Sequence, residues 1–141
     1  MSRNLKDEAN IRDYLLGLDD LKKPKVIDMS IIAPKQWNSA ILMISRLIMM
    51  KKGTYPDHPD LGIDIRGRYS FSFEDDLYSL QEDIDDQASR YLPEFAPYQI
   101  RCMFQSINDI NYVVIVIVIN NIAYTLLYNI DGHTLEGLEE M

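Results

Sequence analysis

The sequence predicts an α+β fold in which two main helices pack on a small, mainly antiparallel sheet, with a further helix near the N-terminus. Two segments, 34–51 and 74–92, carry apolar residues at helical spacing. Tyr112–Ile119 consists entirely of β-branched and aromatic residues, which suit a strand. Together with strand-like segments before and after it, this stretch predicts a C-terminal three-stranded meander.

Composition narrows the class of protein. A chain of 141 residues fits one domain with a real core. Its net charge of -8 argues against a general nucleic-acid binder, which needs a basic face. The only cysteine, Cys102, excludes an internal disulfide and a thiolate metal cluster. No apolar stretch approaches the roughly 20 residues of a membrane helix, so we expect no membrane partner. We also expect no nucleic-acid partner and no cofactor.

The first 30 residues are predicted to form a helix and an arm. Leu5–Leu18 is amphipathic, and a basic linker with Pro24 follows it. The sequence leaves open whether this arm packs on its own domain or docks on a neighbouring protein. The main domain is expected to span residues 31–131, and residues 132–141 to form a loose acidic tail.

The first main helix is predicted at Pro34–Lys51, where a wide apolar arc indicates a central, well-covered helix. Gly53 suits a left-handed C-cap after it. The loop Gly53–Gly62 contains two prolines and two glycines and is expected to be ordered. Asp57, His58 and Asp60 in this loop are a weak metal-ligand set, so turn-forming side chains are favoured.

The second main helix is predicted at Glu74–Leu92, after a short strand or hairpin over Ile63–Phe73. Ser72 and Asp75 resemble a capping box at its start. Its apolar stripe comprises Leu77, Leu80, Ile84, Ala88 and Tyr91. The acidic residues of the opposite face favour a solvated surface over the pocketed carboxylate pair of a glycosidase.

The meander is predicted to begin with Tyr98–Ile107, in which Cys102 is a buried thiol rather than a nucleophile. A two-residue turn at Asn120-Asn121 fixes the register of the next two strands. One face is then wholly apolar and is expected to be the core face: Ile119 with Ile122, Ile117 with Tyr124, Ile115 with Leu126, and Val113 with Tyr128. The other face is smaller, and either the chain itself or a partner protein covers it.

A set of short motifs resembles the gp25-like family: baseplate wedge proteins, or sheath initiators, of contractile-tailed bacteriophages and related injection machines. The family loop Gly-x-x-x-x-x-Pro-x-x-Gly is matched by Gly53, Pro59 and Gly62. The end of the second helix resembles an aromatic-Glu-Pro-Arg motif through Tyr91 and Pro93. The similarity covers roughly residues 36–130 in layout.

The resemblance implies a contact with the baseplate wedge through Arg90, Tyr91, Leu92, Pro93 and Glu94. Leu92 stands where the family has Glu, and Glu94 where it has Arg. The contact is therefore either lost or apolar in this chain, with Arg90 as a partial substitute.

The resemblance also implies a function in assembly. The chain is expected to lie in the tail baseplate of a virion, to be assembled in the host cytoplasm, and to template the first sheath ring by strand addition. Implied partners are the tail sheath protein, baseplate wedge proteins and hub proteins near the tail tube. Either the first or the last strand of the meander could be the free edge, and the last is favoured because it leads to the terminus. The residues expected to bind the sheath there are Ile122, Tyr124, Leu126, Tyr128 and Ile130.

Two other functions are compatible with the same resemblance. One is a regulatory protein-binding module of the anti-adaptor type, which acts as a free monomer on a response-regulator adaptor. The other is a lysozyme-like glycosidase, a label that some family members carry. No catalytic residue, metal ligand or enzyme activity is predicted from the sequence.

Overall fold

The computed structural model describes residues 39–138, so the predicted N-terminal helix and arm lie outside the described residues. Within that range the sheet has four strands in the order β1-β2-β3-β4, all antiparallel. This confirms the α+β class. The helices are α1 (Ser39–Met49), α2 (Ile65–Arg68) and α3 (Asp75–Tyr91), followed by a 3₁₀ turn at Pro93–Phe95; the strands are β1 (Gln99–Ile107), β2 (Ile110–Ile119), β3 (Ile122–Asn129) and β4 (Thr134–Leu138).

Two-residue turns fix the register of the first three strands. Asn120 and Asn121 have φ of 53° and 64°, and Asn108 and Asp109 have φ of 52° and 66°. Consecutive left-handed residues form a type I′ turn, whose twist matches that of the strands it joins. The predicted β2–β3 pairing is confirmed, from Ile119 opposite Ile122 to Val113 opposite Tyr128.

The predicted core face of the sheet packs against the helices. The main buried side chains on this face are Val113, Ile115, Ile117, Ile119, Tyr124, Leu126 and Tyr128. They join one cluster with apolar residues of α1 and α3, among them Ile41, Ile44, Ile48, Leu80 and Ile84. Ile122 is the exception, at 54% exposed beside its turn. On the other face Val114 and Leu127 are buried, whereas Val116 and Val118 are half-buried.

The segment predicted as a short strand or hairpin contains the helix α2 instead. Asp64 precedes it with a left-handed φ of 56°, and its carboxylate accepts the N–H of Gly67 at 3.1 Å. This side-chain cap closes a helical turn where the alternation of Ile63 and Ile65 indicated a strand. Both isoleucines are buried in the core, Ile63 just before the helix and Ile65 at its first position.

The start of α3 also differs from the predicted capping box. Glu74 is the N-cap residue and makes no side-chain cap hydrogen bond. The Ser72 hydroxyl lies 3.1 Å from the hydroxyl of Ser70 instead. Acidic side chains in the first turn, at Asp75 and Asp76, still complement the positive end of the helix dipole.

The expected loose acidic tail is wrong over residues 134–138, which form β4. The side-chain oxygen Oδ1 of Asn129 accepts hydrogen bonds from the backbone N–H groups of Asp131 and Gly132, at 3.1 and 2.9 Å. These bonds turn the chain back along β3. Leu135 then lies opposite Tyr128 and is 4% exposed, so its burial stabilises the return strand.

Candidate functional site

The loop 53–62 and the C-terminal end of α3 form one continuous surface. Gln87, only 3% exposed, accepts the N–H of Gly62 at 3.0 Å and donates to the carbonyl of Asp60 at 2.8 Å. The imidazole of His58 lies edge-on to the ring of Tyr91, with centroids 5.9 Å apart. The two sequence motifs that carry the family resemblance therefore meet in space.

Glycine is required at both ends of this loop for different reasons. Gly62 has φ of 118°, and a Cβ there would lie 2.5 Å from the carbonyl oxygen of Met50. Gly53 has φ of 85° in open space, and its N–H donates to the carbonyl of Pro59 at 3.0 Å. The loop is thus closed by its own backbone and pressed against the end of α1.

Only part of the predicted wedge-contact motif faces outward. Tyr91 and Leu92 are buried in the core, whereas Arg90, Pro93 and Glu94 are exposed. Arg90 pairs with Asp86 at 3.2 Å. The side-chain hydrogen bond with Tyr91, then the charge of Asp86, raise the pKa of Arg90. An apolar contact through Leu92 is excluded, because that side chain already fills the interior.

The assignment of β3 as the free edge is wrong over Thr125–Asn129, whereas Ile122–Tyr124 are not paired with the described part of β4. β4 pairs with Thr125–Asn129, so this part of β3 is hydrogen-bonded on both sides. Tyr124, Leu126 and Tyr128 are buried under the sheet and are not available to a partner. The turn after Asn129 causes this difference, because it returns the chain along the strand that was expected to be outermost. Ile130 ends the pairing with β2 by donating its N–H to Asn111 at 3.0 Å.

Among the described residues the sheet edges are β1, the alternative that the sequence offered, β4, and the short part of β3 before Thr125. In an antiparallel hairpin, the two residues that flank a two-residue turn bond to each other through both backbone N–H and C=O groups, and so does every second pair beyond them. The residues in between direct their backbone groups away from the partner strand. Ile107 and Ile110 flank the first turn, so the outward backbone groups of β1 belong to Ile100, Cys102, Phe104 and Ser106. By the same alternation β4 directs outward only Leu135 and Gly137. The longer edge is that of β1.

Helix α3 covers part of the β1 edge. The side-chain oxygen of Gln81 accepts the outward N–H of Cys102 at 2.8 Å. Burial also raises the pKa of the Cys102 thiol to about 12, so this cysteine is protonated and not a nucleophile at neutral pH. The open part of the edge therefore begins beyond Cys102, at Phe104, whose side chain is 40% exposed.

A pocket of about 380 Å³ adjoins this open part of the edge. Its walls are Phe71, Phe104, Gln105, Ser106, Asn111, Tyr112 and Ile130. The rings of Phe71 and Phe104 meet edge-to-face at 6.3 Å. Phe71 has φ of 57°, a strained backbone conformation for a bulky side chain, and it separates this pocket from a second one. The geometry thus places an aromatic recess beside unpaired backbone groups.

The second pocket, also about 380 Å³, lies between α2 and the turn that precedes β4. Arg66, Arg68 and His133 line it, and the Tyr128 hydroxyl lies 3.0 Å from Nδ1 of His133. Arg68 is already paired with Asp83, which also accepts the hydroxyl of Tyr69. Burial first, and this hydrogen bond second, raise the pKa of Tyr69. Neither pocket is lined by a carboxylate.

Within residues 39–138 no group of three or more His, Cys, Asp or Glu side chains lies close enough to bind a metal ion. Asp57 and Asp60 are exposed in the loop, and His58 stacks with Tyr55 at 5.7 Å between ring centroids. Over the same residues, none of the helices combines the length and the apolar character that crossing a membrane requires.

Comparison of the chain with protein-family models, with curated proteins and with solved structures finds no match. The resemblance to the gp25-like family therefore stays a prediction from the loop and motif residues.

Proposed function

We propose that this chain is a structural component of a contractile tail baseplate, which joins the wedge to the tail sheath and templates the first sheath ring. The observation that carries the proposal is the outer edge of β1, where the backbone groups of Phe104 and Ser106 have no partner among the described residues. An unpaired edge of this kind accepts an extended segment of another chain by β-strand addition.

The side chains around this edge support a binding role. Free β-edges are usually protected by charges, proline or a covering element. In β1 the protection by α3 ends at Cys102, and the exposed residues beyond it include Met103 and Phe104. An apolar, unprotected edge is a liability in a lone monomer and is useful in an assembly.

The wedge contact is assigned to the other end of α3. Arg90, Pro93 and Glu94 are exposed there, next to the loop 53–62, in which the His58 ring lies edge-on to Tyr91. Gln87 fixes the two segments relative to each other, so a neighbouring protein would meet a preformed surface. Such preorganisation reduces the entropic cost of docking.

The test is nucleation of sheath polymerisation. Purified chain is added to unpolymerised tail sheath protein of the same virus, and tube formation is followed by light scattering and electron microscopy. We expect a shorter lag and tubes that carry the chain at one end. If the chain neither shortens the lag nor occurs in purified tail particles, the proposal is wrong, and binding to a response-regulator adaptor as a monomer would favour the anti-adaptor function.

A further inference from the structure

We propose that the pocket between α2 and the turn before β4, here called the α2 pocket, binds a small organic anion in which a carboxylate or phosphate group is attached to an apolar body. This site lies apart from the open edge of β1 and does not depend on the proposed function. The pocket has a volume of about 380 Å³, which is within the range of small-molecule sites. Three side chains that can carry a positive charge line it, Arg66, Arg68 and His133, and no carboxylate does.

Arg66 gives the α2 pocket an unpaired positive charge in a chain whose net charge is -8. Its side chain is exposed and makes no salt bridge with any residue of 39–138. Burial, the larger effect, raises the pKa of the Tyr128 phenol, and the charge of Arg66 lowers it, so the guanidinium lies near that hydroxyl. The Asp64 carboxylate accepts the N–H of Gly67 and does not line the pocket. Arg66 is therefore the main source of positive potential for an anion.

Arg68 is held in place by its neighbours and keeps donors for a ligand. Its Nη1 lies 3.3 Å from the Asp83 carboxylate and donates to the carbonyl of Ile63 at 3.4 Å. Its guanidinium carbon also lies 5.7 Å from the centre of the Tyr69 ring. Both polar contacts use the same nitrogen, so among the described residues the N–H groups of Nη2 and Nε stay available. Asp83 neutralises part of the charge, and Arg68 contributes mainly positioned donors, whose fixed geometry lowers the entropic cost of binding.

Tyr128 and His133 supply one more donor in either tautomer of the imidazole. The hydroxyl lies 3.0 Å from Nδ1. If the hydroxyl donates to Nδ1, the ring proton is on Nε2 and can be donated to a ligand; if Nδ1 donates, the hydroxyl proton can be. His133 and Phe71 both line the pocket and both have a left-handed φ, of 56° and 57°. Backbone conformations of this kind in non-glycine residues cluster at binding sites, which supports a ligand here.

The apolar side of the α2 pocket determines the class of anion. Phe71 and Ile130 form walls there. The Phe71 ring stacks on that of Tyr69 with centroids 5.5 Å apart, and its centroid lies 5.9 Å from that of Tyr128. Inorganic phosphate would use only the charged end of the pocket, whereas an aromatic or aliphatic body would also remove this apolar surface from water. The ligand is thus an organic carboxylate or phosphate monoester.

Titration of the ¹⁵N-labelled chain of 141 residues with benzoate and with phenyl phosphate tests the site. We expect saturable amide shifts at Gly67, Tyr69 and His133, with a Kd of about 1 mM or lower for at least one of the two. The anion that binds more tightly shows whether the natural group is a carboxylate or a phosphate monoester. Benzamide, a neutral molecule shaped like benzoate, should bind about tenfold more weakly or worse. Inorganic phosphate should also bind more weakly than phenyl phosphate.

Two pairs of variants assign the binding to this pocket. Arg66→Gln should raise the Kd about tenfold or more, whereas Arg101→Gln, an equal change of charge at an exposed position of β1 outside the pocket, should change it less than about twofold. Ser70→Asp adds a carboxylate to the wall and should abolish binding, which keeps the test informative if circular dichroism shows that Arg66→Gln disturbs the fold. Ser89→Asp, on α3 and outside the pocket, is its control and should bind like the wild type.

These experiments use the chain alone, so their outcome is independent of sheath nucleation. A chain that nucleates sheath and shows no saturable shifts with either anion up to about 10 mM would leave the proposed function standing and overturn the α2 pocket as a site. Wild-type affinity in both Arg66→Gln and Ser70→Asp would overturn it too. Benzamide that binds as tightly as benzoate would refute the selection for an anion, and inorganic phosphate that binds as tightly as phenyl phosphate would refute the apolar body.

Discussion

The buried amide of Gln87 is expected to stabilise the surface that loop 53–62 forms with α3. Gln87→Leu keeps the side-chain volume and removes both hydrogen bonds to the loop, at 3.0 and 2.8 Å. Gly62 is buried, so its N–H would lose its acceptor without access to water. An unsatisfied buried group costs about 1–3 kcal/mol. Asp60 is exposed, and its carbonyl can be solvated at a smaller cost.

The expected loss in the free energy of unfolding is therefore about 2 kcal/mol, most of it from the orphaned Gly62 N–H. With a urea m-value of about 1.5–2 kcal/mol/M for a chain of this size, the midpoint should fall by roughly 1 M. Far-UV circular dichroism in urea measures it. Hydrogen exchange of the Gly62 amide provides a local readout that a general loss of stability would not single out.

Gln99→Leu is the control, because Gln99 is an exposed glutamine at the start of β1, on a different element from the loop. We expect its free energy of unfolding to stay within about 0.5 kcal/mol of the wild type. A Gln87→Leu variant with an unchanged midpoint and an unchanged Gly62 exchange rate would refute the claim that this amide fixes the loop.

Three further predictions follow from the geometry. In urea titrations, Gly62→Ala should lower the free energy of unfolding by about 3 kcal/mol and Gly53→Ala by about 1 kcal/mol. Both changes strain a backbone with positive φ, but only the Cβ at position 62 would also clash, 2.5 Å from the carbonyl oxygen of Met50. Equal losses in the two variants would contradict this contact. Burial raises the pKa of Cys102 from 9.0 to about 12, so between these pH values the folded state keeps a proton that the unfolded state has lost. The contribution of this thiol to the free energy of unfolding should therefore be complete below pH 9 and decline from there toward pH 12. Unfolding measured as a function of pH checks this, and a Cys102→Ala variant should lack that part of the decline. Gln81→Ala should accelerate hydrogen exchange at the Cys102 amide by about tenfold, and an unchanged rate would show that the bond is not maintained in solution.

The sheet was predictable because local chemistry determines it. The Asn120-Asn121 pair supports two consecutive left-handed residues, and β-branched side chains on both sides leave one register that buries the larger face. The main helix α3 followed from its apolar stripe and ended, as predicted, close to Pro93. In these elements propensity, turn chemistry and burial all favour one structure.

The errors occurred where a side chain decides the backbone path. The Asp64 cap produced a helix in a segment whose alternation indicated a strand. The turn built by the Asn129 side chain added β4 and enclosed the predicted edge, although the Asp131-Gly132 pair followed by Leu135 was a signal that could have revealed it. The bond from Gln81 to Cys102 had no sequence signal at all, because it joins residues 21 positions apart on different elements.

The most direct test of strand addition at β1 is a reconstruction of the assembled tail at a resolution that separates strands. The account predicts an extended segment of the sheath protein about 4.8 Å from β1, paired with Phe104 and Ser106 and ending before Cys102. A reconstruction in which this edge faces solvent, or in which the sheath pairs with β4 instead, would contradict it.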